Sequence, residues 1–254
     1  MNKLIHKIGS LIPNSTAKDW LRRLIFPLLF TQTRTRSVLV GPPGNKVRLQ
    51  IAHFPFFQER LGEREIDGYL QHYTPKEGDV AINAGGYHGY FSLYLAEKVG
   101  ATGHIYCFEP DPINANIIRK NIAHNHKENI TLIQKGLWNH DSTLPFETRG
   151  SSSRLSNNAT QKVSVCSLDN ELNKRGIKKI DFVSMDIEGA EIEAVEGMKT
   201  TIQSNPRISL AIASYHQVEG TRTAERVETA LKNLGLTSKT AFPRHLTTYA
   251  AASL

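Results

Sequence analysis

Residues 79–110 read DVAINAGGYHGYFSLYLAEKVGATGHIYCFEP. The apolar run Val80 to Ala84 is a buried strand, and Tyr87 to Val99 repeats apolar residues at helical spacing. His104 to Phe108 is a second buried strand. Strand, crossover helix and strand form the βαβ unit of a mostly parallel open sheet, with glycines marking the first strand-to-helix turn.

The same alternation continues outward. Pro112 to His124 reads as a helix and Ile130 to Leu137 as the third strand. A β excursion follows at Thr143 to Thr148 and Lys162 to Cys166, then a short helix from Ser167 to Arg175. Ile180 to Met185 is the fourth strand, Ala190 to Gln203 its helix, Ile208 to Ala213 the fifth strand and Thr223 to Leu234 the last helix. Thr237 to Phe242 and His245 to Ala251 have no helix between them and read as an antiparallel hairpin. The expected fold class is α/β: a doubly wound, mostly parallel seven-stranded Rossmann-like sheet with an antiparallel last strand, over residues 75–254.

Residues 1–74 read as an extension. Leu4, Ile5, Ile8, Leu11 and Ile12, then Trp20, Leu21, Leu24, Ile25, Leu28 and Leu29, mark two amphipathic helices. Ser37 to Val40 and Lys46 to His53 flank Gly41-Pro42-Pro43-Gly44 as a hairpin, and Glu59 to Tyr73 reads as a helix.

With 254 residues and 39% hydrophobic side chains, the chain has material for a sizeable core, which excludes a disordered tail or a fibrous repeat. The formal net charge is +7, but residues 1–60 carry ten basic and two acidic side chains, so the remainder is close to neutral. Basicity therefore belongs to the extension and is no argument for nucleic acid at the body. The N-terminal residues 1–36, with Arg22 and Arg23 beside an apolar face, suit an anionic membrane surface, and equally a helix packed on the sheet or a dimer contact. Leu24 to Phe30, the longest strongly apolar stretch, is far shorter than the roughly 20 residues a membrane span needs. No signal-peptide pattern is present, and two distant cysteines, Cys107 and Cys166, form no metal or disulfide framework, so a cytoplasmic, reducing location is expected.

The chemistry-bearing residues sit at strand ends. Gly85, Gly86 and Gly89 are spaced G-G-x-x-G, unlike the G-x-G-x-x-G of dinucleotide enzymes. Glu109, 24 residues after Gly85 at the tip of the second strand, is placed to accept hydrogen bonds from two ribose hydroxyls. Together they point to an adenosine-containing cofactor.

Asn83, Gly85, Gly86, Gly89 and Tyr90, with Glu109-Pro110, Leu168-Asp169 and Asp186-Ile187-Glu188-Gly189-Ala190-Glu191, resemble the FkbM family of S-adenosylmethionine-dependent methyltransferases over residues 75–254. Two places depart from that pattern: Asn83 stands where the family carries an acid, and Ser184 where it carries a lysine. Asp79 or Asp186 could supply the missing charge. The resemblance implies S-adenosylmethionine as cofactor and S-adenosylhomocysteine as product. It implies that Asn83, Gly85, Gly86, Tyr87, Gly89 and Asp186 border the methionine part, Glu109 the ribose, and Gly136, Leu137 and Asp141 the adenine.

Methyl transfer to a hydroxyl needs an oriented acceptor and a base. His216 is the expected base with Asp186, and His88, Glu188, Tyr215 and His216 are the expected acceptor-binding residues. Asp186, Glu188 and His216 also read as oxygen and nitrogen ligands for a divalent cation, although the site is expected to work without a metal. The expected activity is O-methylation of a small-molecule, sugar or lipid-like acceptor. A cofactor-binding scaffold without turnover is the alternative, motivated by Asn83 and Ser184. A nucleic-acid methyltransferase is disfavoured, because no aromatic motif for stacking a flipped base is present.

Overall fold

Runs of apolar residues too short for a helix become strands, and the longer amphipathic stretches between them become helices that cover the sheet. The computed structural model describes residues 36–40, 47–51, 66–148, 153–156, 159–243 and 245–254. The two N-terminal helices expected from the sequence lie outside the described residues. An antiparallel hairpin comes first, β1 (Arg36–Val40) paired with β2 (Val47–Ile51), as expected. The body follows as β3 (Val80–Ala84), α1 (Tyr90–Val99), β4 (His104–Phe108), α2 (Pro112–His124), β5 (Ile130–Ile133), β6 (Gly136–Leu137), β7 (Ser142–Glu147), β8 (Arg154–Leu155) and β9 (Lys162–Cys166). It continues with α3 (Leu168–Arg175), β10 (Phe182–Met185), α4 (Glu191–Glu196), α5 (Lys199–Ser204), β11 (Ser209–Ala213), β12 (Gln217–Val218), β13 (Thr221–Arg222), α6 (Ala224–Asn233), β14 (Thr237–Ala241) and β15 (Thr247–Ala251).

The main sheet has seven strands in the order β14-β15-β11-β10-β3-β4-β5. All neighbouring pairs from β11 to β5 are parallel, and β15 runs antiparallel between β11 and β14. Residues alternate between its two faces: Ile82, Ala84, Val183 and Met185 pack beneath α3 to α6, while Ala81 and Phe182 pack beneath α1 and α2. The chain winds outward from β3 through β4 to β5, then crosses back to β10. The order therefore reverses between β3 and β10, and a ligand crevice is expected outside the carboxyl ends of these strands.

Three expected elements are corrected. Ile130 to Leu137 is not one strand. The chain leaves the main sheet after Ile133, and Gly136–Leu137 pairs with Val165 and Cys166 of β9 instead. That small sheet, ordered β6-β9-β7-β8, has its own core of Phe146, Val163 and Val165. The helix expected over Ala190 to Gln203 is broken into α4 and α5 at Gly197, whose added Cβ would collide with the Trp138 carbonyl oxygen. Asp169 caps the second piece, accepting from Thr200 N at 2.8 Å and Thr201 N at 2.7 Å, which gives the Leu168-Asp169 pair a structural role. The first crossover helix starts at Tyr90 and not Tyr87, because residues 85–89 form an open turn.

The segment 66–69 is helical, and Tyr249 Oη donates to the Gly68 carbonyl across the sheet. Ile66 and Tyr69 belong to the core, so chain preceding residue 75 reaches the site. Among the described residues, no helix is long and apolar enough to cross a membrane.

Candidate active site

The carboxyl ends of β3, β4 and β10 border a cavity of about 370 Å³. Its floor is the turn after β3. Gly85 has φ +88°, and an added Cβ there would run into the Asp186 carbonyl oxygen, so only glycine allows β3 and β10 to close at this height. Gly85 N and Gly86 N both donate to the Phe108 carbonyl at 3.0 Å, tying the turn to the end of β4. Tyr87 takes the unusual φ of +48° and donates its backbone N–H to Glu109 Oε2 at 2.7 Å.

Glu109 is 5% exposed, and Asp111 N donates to its other oxygen at 2.9 Å. Burial pushes its carboxyl up to about 7, against the pull of the two backbone N–H groups. Among the described residues no cation pairs with it. Asp111 meanwhile caps α2, accepting from Ile113 N at 2.8 Å, so the neighbouring carboxylates have separate tasks.

A second set of residues comes from the ends of β10 and β11. Asp186 Oδ2 accepts from the hydroxyls of Tyr69 and Tyr215, each at 2.9 Å. His216 Nε2 stands 3.2 Å from Asp186 Oδ1 and 3.5 Å from Glu188 Oε2, and its Nδ1 stands 2.9 Å from Glu191 Oε1. Neither ring nitrogen is aligned for a hydrogen bond. Glu191, fully buried, accepts instead from Ile187 N at 3.2 Å and Gly189 N at 3.1 Å. Burial opposes the charge on His216, but Asp186 and Glu191 outweigh it and raise the imidazole to about 10. Burial also opposes ionisation of Asp186, yet His216 and His245 hold that carboxyl far below the usual range. Glu188 is pushed up to about 7, chiefly by burial.

A sequence model described as the methyltransferase FkbM domain matches residues 83–236, more than half of the chain. The chain belongs to the FkbM methyltransferase family. Among solved structures it resembles the methyltransferase FkbM from Methylobacillus flagellatus KT, at 19% identity over 71% of this chain and 45% of that one, with a TM-score of 0.51. It therefore spans less than half of that relative's length. Aeropyrum pernix fibrillarin, crystallised with natively bound S-adenosyl-L-methionine, aligns over 71% of this chain and 70% of its own at 17% identity and a TM-score of 0.47. An S-adenosylmethionine-dependent O-methyltransferase from Thermotoga maritima aligns over 70% and 61% at 13% identity and a TM-score of 0.43. No curated protein matches the sequence.

The cofactor is S-adenosylmethionine. The residues present fit it: Glu109 is a buried carboxylate on the cavity wall, with no cation beside it among the described residues, and each of its oxygens keeps a lone pair beyond its one backbone N–H for a ribose hydroxyl. Asn83, Gly85, Gly86, Tyr87, Gly136, Leu137 and Asp186 line the same cavity, as the FkbM resemblance implies for the cofactor's neighbours.

The two departures from the FkbM pattern meet each other. Ser184 and Asn83 are register partners on β10 and β3, and Ser184 Oγ donates to Asn83 Oδ1 at 3.0 Å. Asn83 Nδ2 in turn donates to Ser92 Oγ at 2.8 Å. A neutral, buried amide–hydroxyl pair thus stands where the family pattern places an acid opposite a lysine. Asp79 is not a substitute acid, since it lies at the opposite end of β3 and accepts from Tyr73 Oη and Lys76 N.

Four expected site residues are placed off the cavity wall. Gly89 caps α1 against Ile118. His88 stacks on Tyr87, and its carbonyl accepts from Asn121. Asp141 pairs with Lys174 and accepts from Asn170 and Ser167 N. His216 lies behind Asp186 and Glu188, whereas Glu188 and Tyr215 do line the cavity. Tyr69, Lys135 and Arg154 also line it and escaped sequence reasoning. No local pattern marks them: Tyr69 and Arg154 come from segments outside the β/α alternation, and Lys135 from the stretch where the chain leaves the main sheet after Ile133.

Proposed function

We propose that this FkbM protein methylates a hydroxyl on a small-molecule, sugar or lipid-like acceptor. When bound, S-adenosylmethionine supplies an electrophilic methyl group. The observation that supports the hydroxyl is the group of Asp186, Glu188 and Tyr215 on the same cavity wall as the glycine turn and Glu109. Both carboxylates orient an acceptor O–H, and Glu188, raised to about 7, takes up its proton. His216, set between carboxylates and off the cavity wall, positions Asp186 and Glu188 and does not touch the acceptor. The reading of a turnover-free scaffold loses its motive, because Asn83 and Ser184 satisfy each other and leave the cavity wall in place.

Calorimetry with S-adenosylhomocysteine tests the cofactor end. Wild type is expected to bind one equivalent, and Glu109→Ala to lose about 1.5–3 kcal/mol of binding with the charge-assisted hydrogen bonds. Absence of binding by the wild type would overturn the reading. At the other end, extracts of metabolites and lipids supplied with methyl-labelled cofactor should yield an alkali-stable methyl ether. A label found only in esters or amines would refute O-methylation of a hydroxyl.

Glu109 also predicts a pH dependence. The folded protein keeps its proton to about 7, whereas the unfolded chain releases it near the ordinary 4.5. Between these values the folded state binds more protons, so this group's contribution to stability falls as pH rises. The difference in thermal midpoint between wild type and Glu109→Gln is expected to shrink across that window, and a flat difference would contradict the raised carboxyl. Affinity for S-adenosylhomocysteine moves the opposite way, rising through pH 7 as Glu109 ionises.

A further inference from the structure

We propose that Asp186 Oδ1, Glu188 Oε2 and His216 Nε2 bind one divalent first-row cation at the acceptor end of the cavity. The three side chains offer ligand atoms that all lie within 4.8 Å of one another. His216 Nε2 is 3.2 Å from Asp186 Oδ1 and 3.5 Å from Glu188 Oε2. Adjacent ligands of an octahedral ion, each at roughly 2.1 Å from it, stand about 3.0 Å apart, so the trio needs little movement to close on one ion.

The atoms that face this point are the ones without hydrogen bonds. His216 is 7% exposed, yet its Nε2 makes no aligned hydrogen bond, and the buried Asp186 Oδ1 beside it makes none either. Buried polar atoms left in this state are expensive unless a ligand satisfies them. The opposite side of each ligand is supported. Glu191, fully buried and fixed by two backbone N–H groups, stands 2.9 Å from His216 Nδ1, the arrangement in which a carboxylate orients a metal-bound imidazole. Tyr69 and Tyr215 hold Asp186 Oδ2, which turns Oδ1 toward His216. His245 Nε2, also without a hydrogen bond, stands 3.6 Å from Asp186 Oδ2.

Backbone strain points the same way. Glu188 has φ +57° and is followed by Gly189 at φ +106°, a left-handed kink that a glutamate adopts only at a cost. Charge is consistent with a cation, because Asp186, Glu188 and Glu191 bring three carboxylates to His216, with His245 at 3.6 Å from Asp186. The mixed oxygen and nitrogen set suits divalent first-row ions such as Mn²⁺, Fe²⁺ or Zn²⁺ over Mg²⁺ and Ca²⁺, which take oxygen ligands. Asp186 and Glu188 line the cavity, so the ion's open positions face the acceptor. Building on the hydroxyl-transfer reading above, the ion would take the acceptor oxygen as a ligand and lower its pKa. The second oxygen of Glu188 stays available for the released proton.

The test is Mn²⁺ binding by the chelator-treated full chain, read from the loss of the free-ion signal in electron paramagnetic resonance. Wild type is expected to take up one Mn²⁺. Glu188→Gln and Asp186→Asn are each expected to weaken uptake at least tenfold, and Glu191→Gln, acting through His216, by about 10- to 100-fold. A nitrogen hyperfine coupling from His216 should appear on the bound ion and vanish in His216→Gln. Far-ultraviolet circular dichroism and the thermal midpoint report the fold of every variant. No uptake at millimolar Mn²⁺ by wild type that binds S-adenosylhomocysteine would overturn the cation site and leave the methyltransferase reading standing. Uptake unchanged in folded Glu188→Gln and Asp186→Asn would also overturn it. Mn²⁺ uptake without S-adenosylhomocysteine binding would leave the site intact and overturn the cofactor reading.

Discussion

Ser184→Lys by itself is expected to destabilise the protein by about 3–5 kcal/mol, because it buries an ammonium with no counter-charge at the centre of the sheet. Ser184 is fully buried, with its hydroxyl on Asn83 Oδ1 at 3.0 Å and the Ile82 carbonyl at 3.2 Å. Asn83→Asp alone is also expected to destabilise, since it places a carboxylate where only the hydroxyls of Ser92 and Ser184 can donate. The double variant rebuilds the acid–lysine pair of the FkbM pattern across the register of β3 and β10 and should recover most of the loss. Thermal or denaturant unfolding of the four proteins gives the coupling directly. A coupling above about 2 kcal/mol is expected, and strictly additive losses would show that the two departures are unrelated.

Gly85→Ala is expected to cost at least about 3 kcal/mol and to abolish S-adenosylhomocysteine binding. The new methyl would lie on the Asp186 carbonyl oxygen, and the residue would have to keep φ +88°. Neither strain can be relieved without separating the ends of β3 and β10, which moves Asp186 away from Tyr69, Tyr215 and His216. Gly136→Ala is the matched control. Its added Cβ would meet only Val165 at 3.3 Å and Pro110 at 3.7 Å, so a stability change below about 1 kcal/mol is expected. Equal losses at the two glycines would refute the close approach at Gly85.

Much of this architecture is legible in the chain because its signals are local. Pro112 to His124 is a helix with the bounds its pattern predicts, since Asp111 caps it and Pro112 suits the first helical position. Ala190 to Gln203 was misread for the converse reason: its periodicity is continuous, and only the Trp138 backbone pressing on Gly197 breaks it. Ile130 to Leu137 has unbroken β character, but its last two residues find their partners in β9, some thirty positions away.

The site divides along the same line. The glycine turn and Glu109 belong to one βαβ unit, so sequence alone determined the fold class, the family resemblance and the cofactor end. The acceptor end brings together Tyr69, Asp186, Glu188, Glu191, Tyr215, His216 and His245, which come from four separate regions of the chain. Sequence suggested His216 as a base; tertiary packing decided that it sits behind two carboxylates, with one face held by Glu191 and the other turned toward Asp186 and Glu188. It also decided that Asn83 and Ser184 face each other as a hydrogen-bonded pair, because register across a parallel sheet is set by the packing of distant elements and leaves no trace in local periodicity.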